Sequence, residues 1–173
     1  MNPILQTSRL RLRRFTLSDT AFIVELLNSP GWLQFIGDRH VRTEEEATAY
    51  LQNGPLKSYA RHGYGLCMVE REEDNIPIGM CGVFKRDNLE QPDIGFAFLP
   101  QYHGTGYAYE IASATLQHAR EELKLPEVWA ITVPHNERSK KLLEKIGLRF
   151  AKTFRFPGSE EDLMLYSTGA GRD

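Results

Sequence analysis

Asp93-Ile94-Gly95-Phe96-Ala97-Phe98-Leu99 runs into Pro100 and then into Gln101-Tyr102-His103-Gly104-Thr105-Gly106-Tyr107-Ala108. The first seven residues read as a strand, Pro100 breaks it, and a long helical pattern starts near Tyr107. A glycine-rich turn between a strand and a helix is a ready anion site. Without side chains at Gly104 and Gly106, backbone N–H groups can converge on a phosphate, and the helix dipole adds partial positive charge. The spacing excludes two familiar alternatives. A dinucleotide fingerprint requires a third glycine where Tyr109 stands, and a nucleotide-hydrolysing phosphate loop requires Gly-Lys-Ser/Thr where the chain has Gly106-Tyr107-Ala108.

Outward from this turn the pattern is mixed α/β. Arg9-Leu10-Arg11-Leu12-Arg13 alternates with period two, which predicts a half-buried strand whose arginines form a solvated face. Ser18-Asp19 opens a helix that ends near Asn28-Ser29-Pro30-Gly31, and Thr43-Glu44-Glu45-Glu46 is a capping-box opening for a second helix, limited by Gly54-Pro55. Strands are expected over 64–70, 77–85 and 93–99, then a helix over about 107–123. A strand at 128–132, a helix over 136–146 stopped by Gly147, and closing strands at 148–156 and 163–166 complete the chain, with a frayed tail from Gly169. The order β-αα-βββ-α-β-α-ββ predicts one sheet with helices on both faces.

At 173 residues the chain suits one domain, 1–173, and a net charge of -2 gives no electrostatic reason to expect nucleic acid as a partner. No apolar run approaches the ~20 residues of a membrane span, and the N-terminus lacks the layout of a secretory signal. Cys67 and Cys81 are too few for a disulfide framework and read as inert core thiols of a reducing cytoplasm. The five scattered histidines suggest no metal. Monomer and homodimer are both compatible with the sequence.

Five pieces in order carry a resemblance. They are Thr7 to Arg13 with Asp19, Pro77-Ile78-Gly79 leading to Gly82, Asp93-Ile94-Gly95-Phe96, the Gln-x-x-Gly-x-Gly of Gln101 to Gly106, and Asn136-Glu137-Arg138-Ser139 with Glu144 to Leu148. Together they resemble the GNAT N-acetyltransferases, and within them the ribosomal-protein alanine acetyltransferase (Rim-type) branch. The resemblance implies the acyl-CoA N-acyltransferase fold, acetyl-CoA as cosubstrate and a primary amine as acceptor, either a protein N-terminus or a small molecule. It implies that the pantetheine arm lies along Phe96, Ala97, Phe98 and Leu99. The pyrophosphate would rest on the amides of 102–107 within the cofactor loop of Gln101, Tyr102, His103, Gly104, Thr105, Gly106, Tyr107 and Ala108, with Asn136 bonding the cofactor near its pantetheine portion.

Direct transfer requires loss of an amine proton, stabilisation of the thioester oxyanion and protonation of the leaving thiolate. By analogy a backbone N–H around Phe98 serves the oxyanion. The Tyr-Glu-Lys-x-Gly pattern that supplies the acid in many GNAT enzymes reads Leu143-Glu144-Lys145-Ile146-Gly147 here, so the tyrosine is absent. In the Rim-type branch a serine one turn after the asparagine can take that role, which points to Ser139. Asp93 is the leading base, with Glu90, Glu137 and His135 behind it. The acceptor pocket is expected between the first two helices, Trp32 to Ile36, and the acidic turn at 158–162. A different class, a non-catalytic acyl-CoA-binding regulatory domain, is suggested by the missing tyrosine.

Overall fold

The alternating run at the N-terminus folds back on itself. A short strand β1 (Leu5–Gln6) pairs antiparallel with β2 (Leu10–Arg13), and Leu10 and Leu12 are buried. The arginines between them are not a solvated face. Arg13 meets Asp19 through two bonds of 3.0 and 2.9 Å and reaches Glu70 at 3.1 Å, while Arg11 bonds Glu70 at 3.3 Å. The chain is described here by a computed structural model over residues 2–169.

A 3-10 turn at Leu17–Asp19 leads into α1 (Thr20–Leu27), followed by α2 (Pro30–Phe35), α3 (Glu44–Asn53) and α4 (Pro55–His62). The reciprocal cap expected at Thr43 and Glu46 is present. Pro30 and Pro55, read from sequence as limits, are instead the first residues of new helices, where a missing N–H removes no helical bond. Four helices therefore precede the next strand where two were expected. The remaining elements are β3 (Cys67–Arg71), β4 (Pro77–Phe84), β5 (Asp93–Phe98), α5 (Tyr107–Glu121), β6 (Trp129–Thr132), α6 (Glu137–Lys145), β7 (Arg149–Phe154) and β8 (Leu163–Ser167).

The eight strands form one mixed sheet in the order β1-β2-β3-β4-β5-β6-β8-β7, and the pair β5/β6 alone is parallel. Helices cover both faces, as the element order predicts. On one face α5 and α6 bury Ile111, Ala112, Leu116 and Leu143 against Ile78, Cys81, Ile94 and Phe98. On the other, α1 to α3 bury Phe22, Ile23, Leu26, Trp32, Ala47 and Leu51 against Met68, Met80 and Leu99. Strand alternation does the sorting: Ile94 and Phe98 face α5 and α6, and Leu99 faces the other layer. Cys67 and Cys81 are direct cross-strand partners, free and buried. Burial pushes their thiols up to about 11 and about 12, which leaves little nucleophilic thiolate. Among the described residues no helix is long and apolar enough to cross a membrane.

Candidate functional site

β5 and β6 part almost as soon as they meet. Trp129 N–H bonds Pro92 O at 2.9 Å, Asp93 and Trp129 form the single rung, and no further pairing follows. On its other edge β5 stays in register with β4 along its full length. Leu99 N–H donates to Ile78 O on that side at 3.0 Å, and its carbonyl accepts from Tyr102 N–H. In an antiparallel pair successive residues turn their peptide groups to opposite edges, so Phe96 and Phe98 direct theirs into the gap toward β6. Leu99, expected among the cofactor-strand residues, turns its amide the opposite way.

The glycine-rich turn lies at the open end of this gap. Pro100–Tyr102 is a 3-10 turn, Gly104 and Gly106 have φ of +80° and +82°, and Gly106 is the N-cap of α5. The first bond into the helix is Glu110 N–H to Gly106 O, 3.1 Å. Among the described residues the amides of 104–108 have no intramolecular acceptor, and a side-chain carbon at Gly104 would meet nothing within 4 Å. Unpaired N–H groups at a helix start, bare of side chains, fit a pyrophosphate. Gln101, His103 and Thr105 are exposed around this cradle, and Tyr102, Tyr107 and Ala108 are half-buried beneath it.

Two cations border the cradle that the sequence pattern did not disclose. Arg9 Nη1 donates to Thr105 O at 3.0 Å, its guanidinium lies 4.5 Å from the Tyr107 ring centre, and Glu110 holds its Nε at 2.7 Å. Arg71 stands 5.4 Å from the Tyr102 ring centre and is tied to Asp74. Arg9 lies in the turn before β2 and Arg71 ends β3, both far from the loop in sequence, so loop spacing carries no trace of them.

On the other side of the gap, Asn136 caps α6 by accepting the Ser139 N–H at 3.2 Å. That bond orients Asn136, and among the described residues its amide NH2 has no acceptor. Ser139 is half-buried on the same first turn. Leu143, at the position of the missing tyrosine, is 1% exposed in the core and is closed to proton chemistry. His103 links the two sides: its Nε2 is 3.1 Å from Phe98 O, and its Nδ1 is 2.6 Å from Arg138 Nη1. Since guanidinium only donates, Nδ1 accepts and Nε2–H donates to the carbonyl.

Asp93 sits at the closed end of the gap, 1% exposed, with Arg86 Nε 3.1 Å from Oδ1. Burial pushes its carboxyl up to about 6, against the pull of Arg86 and Lys85. Of the lesser base candidates, Glu90 is exposed, Glu137 is paired with Lys140 at 2.8 Å, and His135 packs on Phe35 of α2 with ring centres 5.5 Å apart. The acidic turn is tied through Asp162 to Arg155 at 2.6 Å. It is not part of the main groove, which has a volume of about 620 Å³ and lies between α3, α4 and the end of β4. Of the walls expected for the acceptor pocket, only the helix opening near Thr43 lines this groove; α1, Trp32 to Ile36 and the acidic turn do not.

The fold is shared with known acetyltransferases. Residues 9–149 match the acetyltransferase (GNAT) domain, and the chain belongs to that acetyltransferase family. It is 30% identical over 145 residues to an uncharacterized N-acetyltransferase, YnaD, of Bacillus subtilis, across 84% of this chain and 82% of the relative. The structure is similar to an acetyltransferase from Agrobacterium tumefaciens, with a TM-score of 0.81, 25% identity and coverage of 96% and 94% of the two chains. It also shares its fold with the ribosomal α-N-protein acetyltransferase RimL in complex with coenzyme A. There the TM-score is 0.80 at 16% identity, covering 96% and 97%.

Proposed function

We propose that the chain moves an acetyl group from acetyl-CoA directly to a primary amine inside the gap between β5 and β6. The observation that carries this reading is the single β5/β6 rung, which leaves the peptide groups of Phe96 and Phe98 unpaired with β6 below an anion cradle. The pantetheine amides would complete the pairing that β6 abandons, and the pyrophosphate would take the free amides of 104–108, since those of Tyr102 and His103 are bonded to Leu99 O and Pro100 O. Asn136 would donate to the pantetheine portion.

In this reading the Phe98 or Phe96 N–H bonds the thioester oxygen and strengthens as negative charge develops there. Ser139 donates to the departing sulfur; an unperturbed hydroxyl is a weak acid but an adequate oriented donor. Asp93 accepts the amine proton. Phe96 lies three residues along the strand, about 10 Å away at ~3.3 Å per residue, so the proton travels through water. A carboxylate with a pKa about 6 is ionised at neutral pH yet more basic than an ordinary aspartate. The Asn136–Ser139 spacing supports placement in the Rim-type branch, and two free buried cysteines support a reducing, cytoplasmic setting.

The test is a thermal scan with acetyl-CoA followed by thiol release with amines, antibiotics and short peptides. A raised melting temperature and thiol release are expected. Acetyl-CoA binding with no thiol release from any amine would favour the non-catalytic regulatory domain, and no binding at all would remove both readings.

A further inference from the structure

The groove between α3, α4 and β4 has a chemistry of its own. Its lining carries five cations, Arg39, Lys57, Arg61, Lys85 and Arg86, against two carboxylates, Glu46 and Asp87. In a chain of net charge -2 this surplus is a local arrangement. The carboxylates offset only part of it. Glu46 Oε1 is used by the N–H groups of Arg42 and Thr43, and Asp87 lies 3.8 Å from Arg61. Among the described residues Arg39 and Lys57 have no ion-pair partner, and Arg86 shares Asp93 through long bonds of 3.1 to 3.4 Å. Arg39, Arg86 and Tyr50 line this same groove. Two guanidinium groups and a phenol O–H lining one groove form a donor set for an oxyanion.

The floor is apolar, and its inner end abuts the transfer strand. A side-chain carbon placed at Gly95 would stand 3.1 Å from Phe84 Cε1 and 3.5 Å from Leu66 Cδ2. The groove floor therefore touches β5 at Gly95, one residue before the Phe96 peptide group that faces the gap. Asp93 and Gly95 share this face of the sheet, and Arg86 joins the groove to Asp93.

We propose that this groove binds the anionic end of the acceptor, so that the amine acetylated belongs to a small molecule carrying a carboxylate or phosphate. The inference rests on the acetyltransferase reading and supplies its substrate class. The amine points along the apolar floor toward Gly95, and the anion meets Arg39, Arg86 and Tyr50. A polyamine or other polycation is repelled by the same charges.

The experiment has two arms. The first follows thiol release from acetyl-CoA with α- and ω-amino acids and aminoalkyl phosphates, each matched with its neutral carboxamide or alcohol, alongside spermidine and an acidic hexapeptide. An anionic small amine is expected to exceed its neutral match by roughly 10-fold or more in kcat/KM. Arg39→Gln, at a residue with no contact with Asp93, should erase that preference mainly through KM, leaving the neutral match little changed. Carboxylate against phosphate leads identify which anion is taken. A lead by neutral amines, spermidine or the peptide overturns the proposal. The second arm needs no turnover: calorimetry titrates the same amino acids and phosphates into wild-type protein and Arg39→Gln, with acetyl-CoA as a separate titrant. Binding of an anionic member that weakens in Arg39→Gln supports the groove assignment even in an enzyme without detected turnover. Acetyl-CoA binding with no anionic member bound in either arm overturns the groove and leaves the transferase reading standing.

Discussion

Asp93 and Arg86 form an ion pair in which burial outweighs the partner: the guanidinium Nε is 3.1 Å away, and the carboxyl is still pushed up to about 6. The folded state thus holds this proton more tightly than the unfolded chain, whose aspartate titrates near 3.8. The resulting stabilisation is fully present below pH ~4 and is lost as pH rises through about 6. Relative to Asp93→Asn, which lacks this titration, the wild-type protein should lose about 2–3 kcal/mol of unfolding free energy between pH 4 and 7.5. Denaturant melts of both proteins across that range measure it. Parallel pH dependences would mean that Asp93 keeps an ordinary affinity for its proton.

The same titration sets an activity profile. With Asp93 as proton acceptor, kcat/KM should rise through a limb near pH 6 in the free enzyme. Asp93→Asn should lack that limb and fall roughly 100-fold at neutral pH, in the range for loss of a general base. A limb that persists in the variant would assign the proton to another group, with His135 the first to examine.

Ser139→Ala should lower kcat by roughly 10- to 1000-fold while acetyl-CoA affinity changes little, because the hydroxyl acts as charge develops on sulfur. The fold should survive, since the Asn136 cap is made to the Ser139 backbone N–H. Steady-state kinetics on a confirmed acceptor, paired with calorimetric binding, separates the two quantities. A kcat within about threefold of wild type would leave thiolate protonation to water or to the acceptor.

Gly104→Val and Gly106→Val should weaken acetyl-CoA binding at least 10-fold. Their φ values of +80° and +82° cost a β-branched residue roughly 1–2 kcal/mol, and any relaxation swings the loop amides away from the phosphate. At Gly104 no internal clash contributes, so that variant isolates the backbone effect. Unchanged affinity in both folded variants would move the pyrophosphate elsewhere.

Glu110→Gln should destabilise the protein by about 1–3 kcal/mol, because its carboxylate accepts from Thr7 Oγ1 at 2.5 Å, Arg9 N–H at 3.0 Å and Arg9 Nε at 2.7 Å. It should also free Arg9 from the Thr105 carbonyl and loosen acetyl-CoA binding. Thermal melts and calorimetry read the two effects. A variant as stable as wild type would mean that these bonds merely replace equivalent ones to water.

Local rules made most of the sheet legible. Period-two alternation located β2, and the capping box located α3, since both signals are written in neighbouring residues. Pro30 and Pro55 misled because a proline that stops one helix also suits the first position of the next, and the two roles share one sequence signature. In the site, Gly104 and Gly106 were readable from spacing, whereas Arg9, Arg71, Arg39 and Arg86 were not. Their meaning comes from contacts across the sheet or through α3, at separations no local pattern records. Leu99 shows a third limit: sequence assigns it to the strand, and only the hydrogen-bond phase reveals which edge its amide serves.

The position of β8 between β6 and β7 carries a consequence for biosynthesis. β6 ends at Thr132, yet its neighbour on the side away from β5 is β8, bonded from Trp129–Ser167 to Thr132–Met164. Until residues 163–167 emerge from the ribosome, β6 has one stray rung to β5 and an open edge on the other side. One wall of the gap between β5 and β6 therefore becomes rigid only late in translation, while β1 to β5 can already pair. A nascent chain stalled before β8 should present an unpaired edge suited to holdase chaperones or to intermolecular strand exchange.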